Sequence, residues 1–247
     1  ASGFLCKRVN NAIIMYEGNQ YMKYAYILTL LLLDATLSAS RMNYTYYRAD
    51  VVPQNMSVGM KKERFYHLVV PAVQKVHTDL MDFYIRVKSD IDNKRRPTKL
   101  KRLREEHRVN TNLELLQALK PHPQSIVIAQ AAMESAWATS RFFREANNVF
   151  GMWSKNPKES RIAAGIKRKG GRTIWLRKFY SIEDSVREYY KLMGRSKHFK
   201  AFRKTRYETD DVHEIVKKLD NYSEIGSLYG EELSEMIRFN KLEHYDK

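Results

Sequence analysis

The sequence predicts a mainly helical α+β protein with one small β-hairpin, and three observations carry that expectation. Hydrophobic residues make up 43% and aromatic residues 12% of the 247, against only 10 Gly and 6 Pro, which argues against disorder and against a Gly-rich all-β design. Val73, Val76, Leu80, Phe83, Val87 and Ile91 recur at steps of three and four, the stripe that a core-facing helix needs. Across residues 161–179 the texture changes: Ile162, Ile166, Thr173, Ile174, Trp175 and Leu176 flank Lys169-Gly170-Gly171-Arg172, and a Gly-Gly pair between β-compatible arms signals a hairpin. A chain of this length holds one ordinary domain plus accessory helices and can bury a core.

From the N-terminus, residues 1–21 carry no pattern that can be interpreted. Residues 22–40 do: Met22-Lys23, an apolar stretch over 24–33, Asp34, and the small residues Ser38-Ala39-Ser40 have the layout of a secretory signal peptide starting at Met22 and cleaved after Ser40. The apolar run is too short for a comfortable membrane span; a buried helix or a retained anchor is the alternative. The expectation is a periplasmic or secreted, cell-wall-associated protein with no membrane span after cleavage. Cys6 is the one cysteine, so an intrachain disulfide and a Cys-based zinc site are both excluded. Among the seven histidines there is no HExxH or comparable spacing, and even His67 and His77 are not one turn apart, so neither a metal nor another cofactor is expected.

Residues 41–59 are Tyr-rich and polar, an extended lead-in. A helical pattern starts at Met60, Pro71 interrupts it, and the stripe named above follows. The dense basic run over 94–108 reads as a solvated helix face or a linker. Leu113, Leu115, Leu116 and Leu119 suggest a short helix closed by Pro121 and Pro123, and Pro123 suits the first turn of the next helix, over 124 to about 137. Ser181 with Asp184 resembles a capping box that opens a helix through Met193. Further helices are expected near 198–206, 210–219 and 228–240. The resulting division is 1–40 upstream sequence and leader, 41–109 a helical N-terminal extension, and 110–247 the functional domain.

The formal net charge of +16 points to polyanionic surroundings: nucleic acid, an anionic membrane face or an acidic polymer. Cleavage after Ser40 removes Lys7, Arg8 and Lys23 together with Glu17 and Asp34, so the basic character belongs to the rest of the chain. No nucleic-acid reading motif is present, and the leader opposes that partner.

Chemistry is concentrated around Glu134. This single carboxylate ends an otherwise apolar helix, with Trp137 close behind it and Asn147-Asn148-Val149-Phe150-Gly151 shortly after. Burial disfavours the charged carboxylate, so such a group holds a proton near neutral pH and can pass it to a leaving oxygen, which is what glycoside cleavage asks of its acid. The alternative for a lone helical Glu is a structural ion pair.

The stretch Ala129-Gln130-Ala131-Ala132-Met133-Glu134-Ser135-Ala136-Trp137-Ala138-Thr139-Ser140, followed by Asn147-Asn148-Val149-Phe150-Gly151, resembles the glucosaminidase domain of bacterial peptidoglycan hydrolases, the Bax-type proteins in particular. A weaker likeness runs through Phe179-Tyr180-Ser181, Ser185-Val186-Arg187-Glu188-Tyr189, Tyr222-Ser223 and Ile237-Arg238, covering roughly residues 110–240. The resemblance implies a lysozyme-like fold with helices around a glycan cleft and a β-hairpin as one wall. It implies cleavage after N-acetylglucosamine in peptidoglycan glycan strands, with Glu134 as the catalytic acid; the protein is expected to be a monomer. Tyr189 would orient the sugar's acetamido group or stabilise positive charge, unless it is a core tyrosine. Trp153, Trp175 and Tyr180 would stack on sugar rings, while Trp137 and Phe150 pack beneath. Asn148 would bind either an acetamido group or the turn backbone.

Two departures stand out. Ala136 and Ala138 replace glycines usual around the Trp, a change that a helix tolerates. No Asp or Glu occurs over 165–179, where many members carry a second acid; Glu159 and Glu183 flank that stretch and either reach in or are surface charges. Attack by the substrate's own acetamido oxygen would then replace the second carboxylate. A lytic transglycosylase, which shares the scaffold but normally continues with a Gly-Leu-Met-Gln type segment, and a non-catalytic wall-binding protein are the competing readings.

Overall fold

The computed structural model describes residues 5–9, 12–16, 47–167 and 173–247, so the expected leader at 22–40 and the Gly170-Gly171 turn lie outside the described residues. The chain divides into two compact units, Ala1–Tyr46 and Tyr47–Lys247. The first contains an antiparallel pair, β1 (Leu5–Val9) and β2 (Ala12–Tyr16), with Val9 opposite Ala12.

The second unit is built on α1 (Val58–Asp92), 35 residues long, capped by Ser57, whose hydroxyl accepts from the Met60 amide at 3.2 Å. Pro71 lies inside this helix rather than ending it. Its ring stands on the solvent side, where water can satisfy the carbonyl that loses its amide partner. Phe65, Val69, Val73 and Val76 enter the main core, and the lower half of the stripe, with Val87 buried, meets Leu100, Leu103 and Leu115 in a second cluster.

The basic run proves to contain α2 (Pro97–His107), with Leu100 and Leu103 buried. Arg95 and Arg96 are exposed and Lys99 is partly so, yet all three gather within 3.5–3.8 Å of the buried Asp90 carboxylate of α1. Next comes α3 (Asn112–Leu119), opened by a capping box between Thr111 and Glu114.

The central helix is α4 (Gln124–Glu134), with every residue from Ser125 to Ala132 buried. It packs against α1, α8 (Val212–Val216), α9 (Leu228–Phe239) and the terminal 3₁₀ turn Leu242–Asp246. Pro123 at its start supplies no side-chain cap; Asp246 does so from the far end of the chain, accepting from the Ser125 amide at 2.9 Å.

After α5 (Arg141–Ala146) come strands β3 (Arg161–Lys167) and β4 (Thr173–Arg177), antiparallel with Ile162 opposite Leu176 and an irregularity between Ala163 and Lys167. The helix α6 (Ile182–Arg195) begins at Ser181, whose hydroxyl accepts from the Asp184 amide at 3.1 Å. A 3₁₀ turn, Lys197–Phe199, leads into α7 (Lys200–Glu208). The expected mainly helical α+β class with one hairpin in its C-terminal half is what the second unit shows.

Candidate active site

Glu134 is the last residue of α4, so the partial negative charge of the helix C-terminus faces its carboxyl. The helix stops there because Ala136, the residue after the C-cap Ser135, is left-handed. The Trp137 amide donates to Ala132 O at 2.8 Å and the Ala136 amide to Met133 O at 3.3 Å, the paired bonds of a Schellman turn. Ala136, Trp137 and Ala138 have φ of 50°, 59° and 61°. The expectation that Ala136 and Ala138 sit comfortably in a helix is therefore corrected: these are positions where glycine is favoured because Cβ meets the carbonyl. Burial and polar ties hold the turn. Ser135 Oγ donates to Ala131 O at 2.5 Å and accepts from the Ala138 amide at 2.8 Å, and the buried Arg64 of α1 donates to Ala138 O at 2.7 Å. Trp137 sits edge-on to Phe65 and Tyr66, as packing rather than as an open wall.

The Glu134 side chain is half-buried, and burial raises its pKa, with the Tyr229 hydroxyl acting in the opposite direction. That hydroxyl donates to Oε1 at 2.9 Å and is the carboxyl's only hydrogen-bond partner among the described residues. Among the described residues Oε2 has no partner, and it is not sealed in. Tyr229 is positioned by α9, which approaches α8 closely because residue 230 is Gly: a Cβ there would lie 2.7 Å from Val216 O.

Behind Tyr229 the polar side chains continue inward. Gln130, one turn before Glu134 on α4, donates Nε2–H to the Tyr229 oxygen at 3.0 Å. Its Oε1 accepts a short bond from the Tyr189 hydroxyl. His122 Nε2 lies 3.0 Å from the Tyr189 oxygen, and Arg206 Nη1 lies 3.4 Å from His122 Nδ1. Tyr189 is fully buried, its ring stacked on Phe150 with centroids 4.1 Å apart, so it supports the site from behind rather than facing an opening.

The Asn pair clamps the hairpin. Asn148 is buried, donates to Met152 O and Arg177 O at 2.9 Å each, and accepts from the Met152 amide at 2.8 Å, so its side chain is committed to the turn. Asn147, left-handed at the end of α5, donates to Phe179 O and Tyr180 O. Of the expected sugar-stacking residues, Trp153 is 53% exposed and paired through its backbone to Leu176. Trp175 is partly covered by the Arg161 guanidinium, 4.3 Å from its ring, and Tyr180 is 96% exposed. Glu159 is ion-paired to Arg177 at 3.2 Å, and Glu183 lies in the first turn of α6.

Sequence reasoning did not single out Tyr229, Gln130, His122 or Arg206. Gln130 was within reach, since residues four apart share a helix face. Tyr229 had no local signal, being 95 residues from its partner.

Residues 110–242 match the glucosaminidase family, described as mannosyl-glycoprotein endo-beta-N-acetylglucosaminidase. Protein bax of Escherichia coli (strain K12) is 32% identical over 138 residues, covering 53% of this chain and 47% of that protein, so the chain spans about half the length of this curated relative. Among solved structures, the catalytic domain of the autolysin Auto from Listeria monocytogenes is 18% identical, covering 77% of this chain and 90% of that one, with a TM-score of 0.47. The glycoside hydrolase domain of FlgJ from Salmonella typhimurium is 25% identical, covering 57% and 86%, with a TM-score of 0.40.

Proposed function

We propose that this chain, which belongs to the glucosaminidase family, is a peptidoglycan hydrolase that cleaves the glycan strand after N-acetylglucosamine, with Glu134 as its general acid. The observation that carries the proposal is the Glu134 carboxyl: raised in pKa by burial, held on one oxygen by Tyr229 and unpartnered on the other. A carboxyl so placed keeps its proton towards neutral pH and presents it to a leaving group.

The nucleophile in this reading is the substrate's acetamido oxygen, since Glu159 is engaged by Arg177 and the strand β4 carries no acid. As that oxygen bonds to C1, the C1–O glycosidic bond breaks and the Glu134 proton goes to the departing oxygen. Water then opens the cyclic intermediate at C1 and returns a proton to Glu134. Trp153, Trp175 and Tyr180 are the candidates to meet sugar rings, whereas the committed side chains of Asn148 and Tyr189 favour support of the hairpin and of the acid. Residues 110–247 are taken as the catalytic region and 41–109 as an extension whose long helix braces it through Arg64. The reading places the protein at the cell wall, periplasmic or secreted, as a monomer.

Digestion of purified peptidoglycan with mass analysis of the new ends tests this. Reducing N-acetylglucosamine ends are expected from the wild type, with release reduced by roughly 10²–10⁴-fold in Glu134→Gln, the usual contribution of a general acid. Anhydro-muramic ends would identify a transglycosylase instead, and equal low release from both proteins would mean binding without turnover.

A further inference from the structure

Four buried side chains, Tyr229, Gln130, Tyr189 and His122, connect Glu134 to Arg206, and the chemistry of Arg206 dictates the direction of every hydrogen bond along the way. A guanidinium can only donate, so the 3.4 Å contact from Arg206 Nη1 makes His122 Nδ1 an acceptor. His122 is fully buried beside that cation and is held neutral by burial, so its one proton is on Nε2. Nε2–H then donates to the Tyr189 oxygen, leaving the Tyr189 hydroxyl to donate to Gln130 Oε1. This fixes the Gln130 amide with its nitrogen towards Tyr229, and the Tyr229 hydroxyl, already accepting from that nitrogen, donates to Glu134 Oε1. Running the chain the other way would set a His122 N–H against an Arg206 N–H. Arg206 also donates from Nη2 to Gln117 O, and with every link pointing away from it the final acceptor is the Glu134 carboxyl.

We propose that Arg206, His122, Tyr189, Gln130 and Tyr229 form a one-way donor relay that keeps Glu134 Oε1 an acceptor and so confines the acid's proton to Oε2. These are positioning residues: among them only Tyr229 hydrogen-bonds the Glu134 carboxyl, and the relay rests on the reading of Glu134 as the acid. In the proton-transfer step the Oε2–H bond breaks and its proton goes to the glycosidic oxygen as the C1–O bond pair leaves with that oxygen. Oε1 keeps its Tyr229 donor throughout, so the new carboxylate is met by a hydrogen bond already in place. Were Gln130 free to flip, the Tyr229 hydroxyl could turn to its Oε1, and the acid proton could be spent on Tyr229.

The test titrates the Glu134 carboxyl carbon by ¹³C NMR, assigned by its absence in Glu134→Gln, alongside the pH dependence of kcat. The ionisable side chains that sense Glu134 are Tyr189, Tyr222 and Tyr229, all displaced upward by burial, so they stay protonated through the carboxyl's range. Tyr229→Phe removes the donor itself and is expected to raise the carboxyl's pKa by about one unit, the size of a hydrogen bond to a charged group. Tyr189→Phe cuts the relay two links away and is expected to raise it by about half a unit, with the alkaline limb of kcat moving equally and KM unchanged. Tyr190→Phe, at a tyrosine that is also buried but among the described residues hydrogen-bonds only the His122 backbone carbonyl, should leave the titration in place. If Tyr189→Phe does not fold, Arg206→Met, which removes the direction-setting donor, takes its place in the same comparison. A shift with Tyr229→Phe but none with the remote variant overturns the relay, and so does an equal shift with Tyr190→Phe. The carboxyl titration is read without turnover: if Glu134→Gln retained full activity, the reading of Glu134 as the acid would fail while the relay was still judged by NMR.

Discussion

At the scale of single residues, Glu134 couples stability to pH with a definite sign. Burial raises the folded-state pKa of this carboxyl above its unfolded value. The folded protein therefore holds the proton more tightly, and the group's contribution falls as pH rises from the unfolded value of about 4.3 through the raised folded one, then levels off. Glu134→Gln keeps an acceptor for Tyr229 and has nothing to ionise, so it should melt above the wild type at pH 7 in scanning calorimetry, with the gap closing below about pH 4. A gap of the same size at both pH values would mean that the carboxyl is not held above its ordinary range. Activity should follow the same ionisation in the same direction, declining as the acid loses its proton. Glu134 was legible because the helix around it is apolar and the residues that follow are distinctive. The commitment of Asn148 to the turn was one of two readings the sequence left open, and geometry decides it through three hydrogen bonds. Arg206 and His122 were invisible as a pair, being 84 residues apart with no periodicity linking them.

At the scale of elements, two backbone features set the acid in place. The Schellman turn after α4 puts alanine at a left-handed position, where a side chain costs roughly 1–2 kcal/mol relative to glycine's freedom. Ala136 is exposed, so Ala136→Gly sacrifices no packing and should raise stability by about 0.5–1 kcal/mol in urea unfolding, once glycine's extra unfolded-state entropy is discounted. No gain would mean that the three-residue left-handed run is relaxed by its hydrogen bonds. At the facing element, Gly230→Ala places a Cβ 2.7 Å from Val216 O, and backbone cannot give way cheaply. A cost of about 1–3 kcal/mol is expected, together with a lower kcat as Tyr229 is carried off Glu134. The sequence announced the helices through their stripes and caps, and the hairpin through its Gly-Gly. It did not announce that α4 ends at Glu134, because Ser-Ala-Trp-Ala-Thr contains no glycine or proline to stop a helix. Nor did it show that α1 runs through Pro71, since a proline on a helix's outer face reads like a break.

At the scale of the whole molecule, the charge and the candidate site are separate features. Lys and Arg outnumber Asp and Glu by 44 to 28, and a cavity of about 740 Å³ lined by Arg108, Lys191, Arg195, Lys197 and Lys200 concentrates that excess. Glu134 is not among the residues that line this cavity, and its carboxyl is tuned by burial and Tyr229 rather than by these cations. Composition made the basic balance plain, whereas the gathering of cations from 108 to 200 needed the packing of α6 and α7 against α3. Attraction between exposed charges falls off over a screening length of about 8 Å at physiological ionic strength and about 3 Å at 1 M salt. If this field anchors the protein on an anionic wall, co-sedimentation of the Glu134→Gln variant with purified sacculi should weaken at least several-fold on raising salt from about 0.05 M to about 0.5 M. Using the variant separates binding from digestion of the matrix. Arg108→Gln with Lys197→Gln, two cations without an ion-pair partner among the described residues, should flatten that salt dependence while leaving turnover of short soluble glycan fragments unchanged. Sedimentation indifferent to salt in Glu134→Gln with Arg108 and Lys197 intact would assign wall affinity to the candidate aromatics Trp153, Trp175 and Tyr180 instead, and the basic surface would then need another anionic partner.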